Sequence, residues 1–440
     1  MVIVVAAVAV VIGWVVGRDG GGDDPVGVDT SWDVLAVVDP VTGVVAVTDP
    51  ESGEVTAEIE TEVGRVTETA LIGATLVVVG TRGQAGVDVS ARTAVDLDPN
   101  DTFSGSVSLV RPEGTADTIM LTDDGGNVII VHGDPVQVIA TSTLIELAGV
   151  RIDAGSALAT ADGMSVLLPD VGNFQSVLVT FGEEEPVYLP GAPLALDDET
   201  VATVLNVGAE ARVTISSHEG ETESEVATDP IAGALLGDGE LLTVSTDGTV
   251  ARIVDGESTR AGALTGAPIP RRTWVMTSGD RLVVTTDSGT DVLDGAGDVI
   301  VSIAGASPLV ADDDEPWSPG IHHALCLAAT TDDGLVLVDA RDGGRSAAVP
   351  EGDLLVGAGG CAGIVSVDGS VAPIAVDPTD IPGPVVLTGE PVALSPDGVT
   401  AATELDRSIA VEPVVPPDDG DPIEPVTVSG RPAPVYFASS

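Results

Sequence analysis

Leu241–Val254 reads LLTVSTDGTVARIV, and this stretch decides the fold. Leu241, Leu242 and Val244 form an apolar run, Thr246-Asp247-Gly248 a turn, and Val250, Ile253 and Val254 the return. An Asp-Gly pair between two alternating apolar runs predicts a β-hairpin, because glycine takes the positive φ that such a turn requires. The same pattern returns in RLVVTTDSGTDVL (Arg281–Leu293), LAATTDDGLVLVD (Leu327–Asp339) and IVSVDGSVAPIAV (Ile364–Val376). The body is therefore a repeat of short antiparallel strands.

The apolar strand of each unit centres near Val37, Val78, Ile130, Leu167, Val204, Thr243, Val284, Ala328, Val365 and Ala402. The spacing is mostly near ~40 residues, which is the period of a four-stranded β-propeller blade. Composition agrees. Gly (53) and Pro (30) are abundant, and no long 3.6-residue apolar period follows the N-terminus. Aromatics are 2% of the chain, so the core is expected to consist of Val, Leu, Ile and Ala. The expectation is an all-β chain forming one β-propeller over 31–415. Ten centres exceed the usual maximum of about eight blades. Either some blades are split in this count or the first and last units share one closing blade, so eight blades are expected, with seven or nine as neighbouring counts. The other arrangements compatible with the period are two smaller propellers or an array of sandwiches.

The turns carry a resemblance. Asp39-Pro40-Val41-Thr42-Gly43 and Asp49-Pro50-Glu51-Ser52-Gly53 resemble the Asp-x-x-Thr-Gly turns of quinoprotein-type and YVTN-type propeller repeats. Ser395-Pro396-Asp397-Gly398 resembles the corresponding turn of TolB-like propellers, and Leu337–Val349 is a looser copy of the first pattern. The resemblance implies propeller repeats in general. Quinoprotein dehydrogenases would add a tryptophan docking turn in most blades and an adjacent cysteine pair. Here Trp occurs only at 14, 32, 274 and 317, and Cys326 and Cys361 are far apart.

The first 17 residues contain an unbroken apolar run, Val2–Val16. With its flanks it is about the shortest helix that spans a bilayer. No basic residue precedes it and no small-x-small cleavage site follows, so an uncleaved transmembrane helix is preferred over a cleaved signal peptide. Residues 18–30 form an acidic linker, and 416–440 a Pro-rich acidic tail that is apolar enough near its end to dock one strand. The expected location is extracytoplasmic, at the cell envelope, or secreted if the first segment is cleaved.

Seventy acidic residues stand against sixteen basic ones, for a formal charge of −54. Such a surface repels nucleic acid and anionic lipid. It agrees with solubility or salt adaptation, or with a cation or basic partner.

Four features carry candidate chemistry. Cys326 stands eight residues before Gly334 and Cys361 eight before Gly369, so the two occupy equivalent places in consecutive repeats. A disulfide between neighbouring blades is expected, adding about 3–4 kcal/mol in the chain-entropy model. His322 with Asp314 is the candidate metal pair, since imidazole beside carboxylate binds transition metals. Asp96-x-Asp98-x-Asn100 resembles the start of a calcium loop, but Asp101 replaces the turn glycine and Val107 the bidentate glutamate. The acidic-loop reading is preferred there, and calcium stays the candidate cation. Gly357–Gly363 precedes a strand and is not a phosphate loop. No Gly-x-Ser-x-Gly elbow is present. The leading expectation is a membrane-anchored binding or scaffold module for an envelope protein, peptide or glycan. The alternatives are an enzyme using the central channel, and a structural assembly protein.

Overall fold

In a computed structural model, residues 32–440 are described apart from short stretches. The longest of these are 141–150, 305–325, 376–386 and 415–425. The quoted hairpin forms as read. Leu241–Ser245 pairs with Thr249–Val254, and Val244 lies opposite Val250 across the turn. Gly248 sits at φ +80°, and Asp247 Oδ1 accepts the Thr249 amide at 2.9 Å.

The described residues form ten antiparallel sheets: eight of four strands, one of three and one of two. We number them 1 to 10 in chain order. Sheet 4 is typical, running Leu158–Ala159, Ser165–Asp170, Gln175–Thr180 and Val187–Pro190, each strand beside the next. Such meanders need only tight turns, and the turns supply them.

Inner strands bury both faces, whereas outer strands such as Val299–Ala304 leave alternate residues exposed. Along Thr75–Gly80 in sheet 2, Leu76 and Val78 pack with sheet 1, while Val77 and Val79 pack with sheet 3. Along Leu241–Ser245 in sheet 6, Leu241 packs with sheet 5, while Leu242 and Val244 pack with sheet 7. The two-residue period of a strand sends alternate side chains to opposite neighbours. This is why the strands read as continuous apolar runs.

Ten apolar cores join each sheet to the next. The last joins sheet 10 to sheet 1, where Ala402, Ile409 and Val411 meet Leu35, Val37, Val435 and Phe437. First strands of neighbouring sheets also touch one another, as Ala192–Leu196 touches Pro230–Leu235 and Pro230–Leu235 touches Pro268–Val275. Sheets packed face to face in a cycle, with first strands converging, make a β-propeller.

The strand pairing adds detail to the expected repeat. Each of the ten strand centres lies in a sheet of its own, so the described sheets number ten where eight blades were expected. The expectation of eight rested on a customary upper limit on blade number. The unit around 389–415 takes no strand from the N-terminal region. That unit has its own fourth strand, Val426–Ser429. Instead Val34–Val38, Val45–Thr48 and Val55–Ile59 are joined by Val435–Ala438, with Leu35 opposite Phe437. Trp32 meets the Phe437 ring edge-on at 4.7 Å. The segment after residue 415 thus contributes two strands. The expected transmembrane helix over Val2–Val16 lies outside the described residues, among which no helix is long and apolar enough to cross a membrane.

Candidate functional site

Many of the chain's acids have a local use at turns. Asp39 Oδ1 accepts the amides of Val41 (2.8 Å) and Thr42 (3.2 Å). Asp49 Oδ1 accepts those of Glu51 (2.9 Å) and Ser52 (2.8 Å), and the Ser52 hydroxyl at 3.0 Å. Hydrogen bonds from Ser52 hold the Asp49 carboxyl below its ordinary pKa, and those from Thr249 do the same for Asp247. These carboxylates replace a backbone acceptor where the chain reverses. Their spacing within the turn is what the Asp-x-x-Thr-Gly resemblance detects.

One turn departs from the rest. In sheet 4, Ser165–Asp170 is buried throughout, and Asp170 is 1% exposed. Its Oδ1 accepts the amides of Arg151 (2.9 Å) and Gly172 (3.0 Å). Its Oδ2 accepts Asn173 Nδ2 (2.7 Å) and Gln175 Nε2 (3.0 Å). Burial pushes this carboxyl up, but the four donors outweigh it and hold the pKa below the ordinary value. The anion thus anchors Val171, Gly172, Asn173 and Phe174 at the surface. Val171 is 49% exposed and Phe174 81%, and Phe174 lies at φ +55°. Its carbonyl accepts the Gly191 amide at 3.1 Å, which ties the turn's far side to the start of sheet 5.

A second polar group lies on first strands near the ring closure. Thr69 of Val66–Ile72 and Tyr436 of the closing strand share a hydrogen bond at 2.5 Å. Glu68 Oε2 accepts the Leu109 amide at 2.6 Å, and Arg111 Nη2 donates to Leu71 O at 3.3 Å. Burial lowers the Arg111 pKa to about 9, against the attraction of Tyr436 and Asp117. Burial raises that of Tyr436, opposed by Thr69 and Arg111. Arg111 remains a cation at neutral pH. The group links sheets 1, 2 and 3 across their first strands and acts as a polar seam.

The expected sites fall as follows. Asp314, His322 and Cys361 lie outside the described residues, as do Asn100, Asp101 and most of Gly357–Gly363. Cys326 opens the strand Cys326–Thr331. At the calcium-like loop, Asp96 Oδ1 accepts the Asp98 amide at 3.0 Å. Asp98 in turn accepts the amides of Thr102 (2.7 Å) and Phe103 (3.0 Å). Both carboxylates thus cap backbone. Among the described residues no group of three His, Cys, Asp or Glu side chains is placed to hold a metal ion. His132 is buried against Phe181 and shares a hydrogen bond with Thr118 at 3.2 Å. His218 Nε2 lies 2.8 Å from Asp197 O. Sequence reading missed Asp170, Phe174 and the Arg111–Tyr436 seam. The Asp-Val-Gly-Asn order at 170–173 was a legible turn signal for the first.

No protein-family model matches this chain, and no curated protein matches it. Solved structures similar to it include the dihydro-heme d1 dehydrogenase NirN, at 11% identity and TM-score 0.38, covering 92% of this chain and 75% of that one. A eukaryotic initiation factor has 12% identity and TM-score 0.47, covering 93% and 99%. A chain of the mitotic checkpoint complex has 13% identity and TM-score 0.35, covering 71% and 94%. At these values the likenesses carry no argument about function. The fold rests on the pairing and packing described above.

Proposed function

We propose that the chain is a binding or scaffold module of the cell envelope, held at the membrane by Val2–Val16. It would offer turns of its ring to a protein, peptide or glycan, with no nucleic-acid partner. The observation that carries this reading is the way the turns are held. Carboxylates at 39, 49, 170, 197, 247 and 294 accept amides of their own turns, so the loops are rigid display elements on a rigid frame. A preorganised surface loses little freedom on binding. Each sheet is one blade in this reading, giving a ring of ten.

A disulfide between Cys326 and Cys361 belongs to the same proposal. Sheets 8 and 9 share a core through Ala328, Leu337, Val365 and Ile374, and Cys326 opens a strand just as Cys361 precedes Ala362–Val367. Identical peptide mass maps with and without reductant would remove it. A cation held by Asp314 and His322 is checked by calcium and zinc titration of the pure protein.

The test of the main reading is a cross-linked pull-down with tagged full-length chain from source membranes. One stoichiometric partner, displaced by untagged chain, is the expected result. A blank with folded protein contradicts it.

A further inference from the structure

The chain has four phenylalanines. Phe181 and Phe437 are buried, and Phe103 packs partly buried against a core. Phe174 stands 81% exposed, two residues after Gly172 and three after the half-exposed Val171. A single exposed hydrophobic residue needs no explanation. Three further features set this one apart.

Its backbone is in the left-handed region, at φ +55°. A bulky side chain there is a steric outlier, whereas glycine takes the position without penalty. The corresponding turns of sheets 1 and 6 place Gly43 (φ +77°) and Gly248 (φ +80°) in that region. The sheet-4 turn is also fixed from beneath by the four donors to Asp170, and by the Gly191 amide on the Phe174 carbonyl. Finally, the aromatic ring shares the turn with a second exposed apolar side chain, Val171. Strain that the surroundings hold in place, at a position where a small residue would relieve it, marks a functional position.

We infer that the Val171–Phe174 turn is a docking knob that enters an apolar pocket on a partner protein, and that this pocket is rimmed by Arg and Lys side chains. The inference rests on the reading of the chain as a binding module and names the surface used. An aromatic held rigidly in solvent is the form of an interface anchor, since its freedom is lost before binding. The basic rim follows from charge. Seventy acids against sixteen bases repel an acidic partner and attract a basic one at long range. A bilayer is the poorer fit. One ring and one valine bury less apolar surface than a single acyl chain, which itself gives only marginal membrane binding. The −54 charge also repels anionic lipid.

The test uses the full-length protein with a photoreactive benzoyl-phenylalanine at position 174. A control carries it at position 41, where Val41 is 55% exposed in the corresponding turn of sheet 1. Both are irradiated in the source cell. The protein captured at 174 is purified, and its affinity is measured for wild type, Phe174→Asn and Val171→Ser. Asparagine tolerates the left-handed region, so this variant removes the ring without adding strain.

The expected result is a cross-linked protein at 174 that is absent at 41. Its affinity falls at least about tenfold with Phe174→Asn and less with Val171→Ser. It also weakens as salt rises from about 50 to 300 mM, while the melting temperature of Phe174→Asn is no lower than wild type. Capture at 41 but not at 174 overturns the knob and leaves the binding-module reading standing; blanks at both positions count against both. Unchanged affinity of Phe174→Asn, or affinity insensitive to salt, overturns the inference. So does flotation of wild type, but not of Phe174→Asn, with phosphatidylcholine vesicles, which would assign the knob to lipid.

Discussion

Sheets 1 and 4 carry the same kind of turn between their second and third strands, and they solve it differently. In sheet 1, Asp39 accepts two amides and Gly43 takes the left-handed position. In sheet 4, Asp170 accepts four donors and Phe174 stands in the left-handed region. The first turn uses the residue that fits without strain. The second holds a residue that does not fit, by means of a buried anion. The sheets also differ in assembly. Sheet 4 is one continuous stretch, whereas sheet 1 takes its first strand from the far end of the chain. Sheet 1 is thus built to close the ring, and sheet 4 to hold its turn in one shape.

The largest effect should separate the two sheets by assembly. Phe437→Ala empties the core between sheets 10 and 1 and removes the edge contact with Trp32. It should cost about 3–5 kcal/mol in urea unfolding. A cost below about 1 kcal/mol would mean that the closing strand is not packed as described.

Next come the two turn carboxylates. Asp170→Ala strands buried donors and should cost about 1.5–3 kcal/mol, since hydrogen bonds to a buried charge are the stronger class. Asp39→Ala at the more open turn should cost about 0.5–1 kcal/mol. Equal costs would break the contrast between the turns.

The left-handed positions should respond with opposite signs. Gly43→Ala places a Cβ 2.6 Å from Val63 Cγ2 at φ +77° and should destabilise by about 1–2 kcal/mol. Phe174→Gly should be neutral or stabilising by about 0.5 kcal/mol, because relief of strain slightly exceeds the entropy that glycine adds to the unfolded chain. Thermal melts of the pair measure this. Loss of stability in Phe174→Gly would mean that the ring packs on the fold.

Much of this was legible from the residues. The hairpin at 241–254 and its copies fixed strand positions, because glycine at a turn and two-residue alternation are local signals. All ten strand centres lie in separate sheets for that reason. How many sheets one ring takes was not legible, because it depends on how cores of one unit meet those of the next, which no local pattern encodes. The closing strand was half visible, as an apolar end to a Pro-rich segment, but its partner is some 400 residues away. Asp170 sits in a readable turn sequence. Phe174 does not announce itself, since nothing in Asn173-Phe174-Gln175 requires a left-handed backbone; only the tertiary frame imposes it.

The smallest effect concerns pH. Asp49, Asp170 and Asp247 have folded-state pKa values below their ordinary ones. Their stabilisation is complete above the unfolded value near ~3.9 and is lost as pH falls through the folded values. Asp198 has the opposite sign. Burial, then Asp162 and Asp197, raise its pKa, so protonating it favours the fold as pH falls through that raised value. The difference in melting temperature between wild type and Asp170→Ala should therefore be constant from about pH 7 to 5 and shrink below about pH 4. A difference that persists unchanged to pH 2 would show that the Asp170 charge contributes nothing.

Ring closure is tested most directly by a cross-link across the two ends of the chain. Val34 and Ala438 are register partners in sheet 1 and share one core. With Cys326 and Cys361 replaced by serine, Val34→Cys with Ala438→Cys should oxidise to an intramolecular disulfide in nearly every molecule. Val34→Cys with Ser429→Cys, whose strand belongs to sheet 10, should not. Failure of the first pair to join, or joining only between separate molecules, would contradict a ring closed by the C-terminal strand.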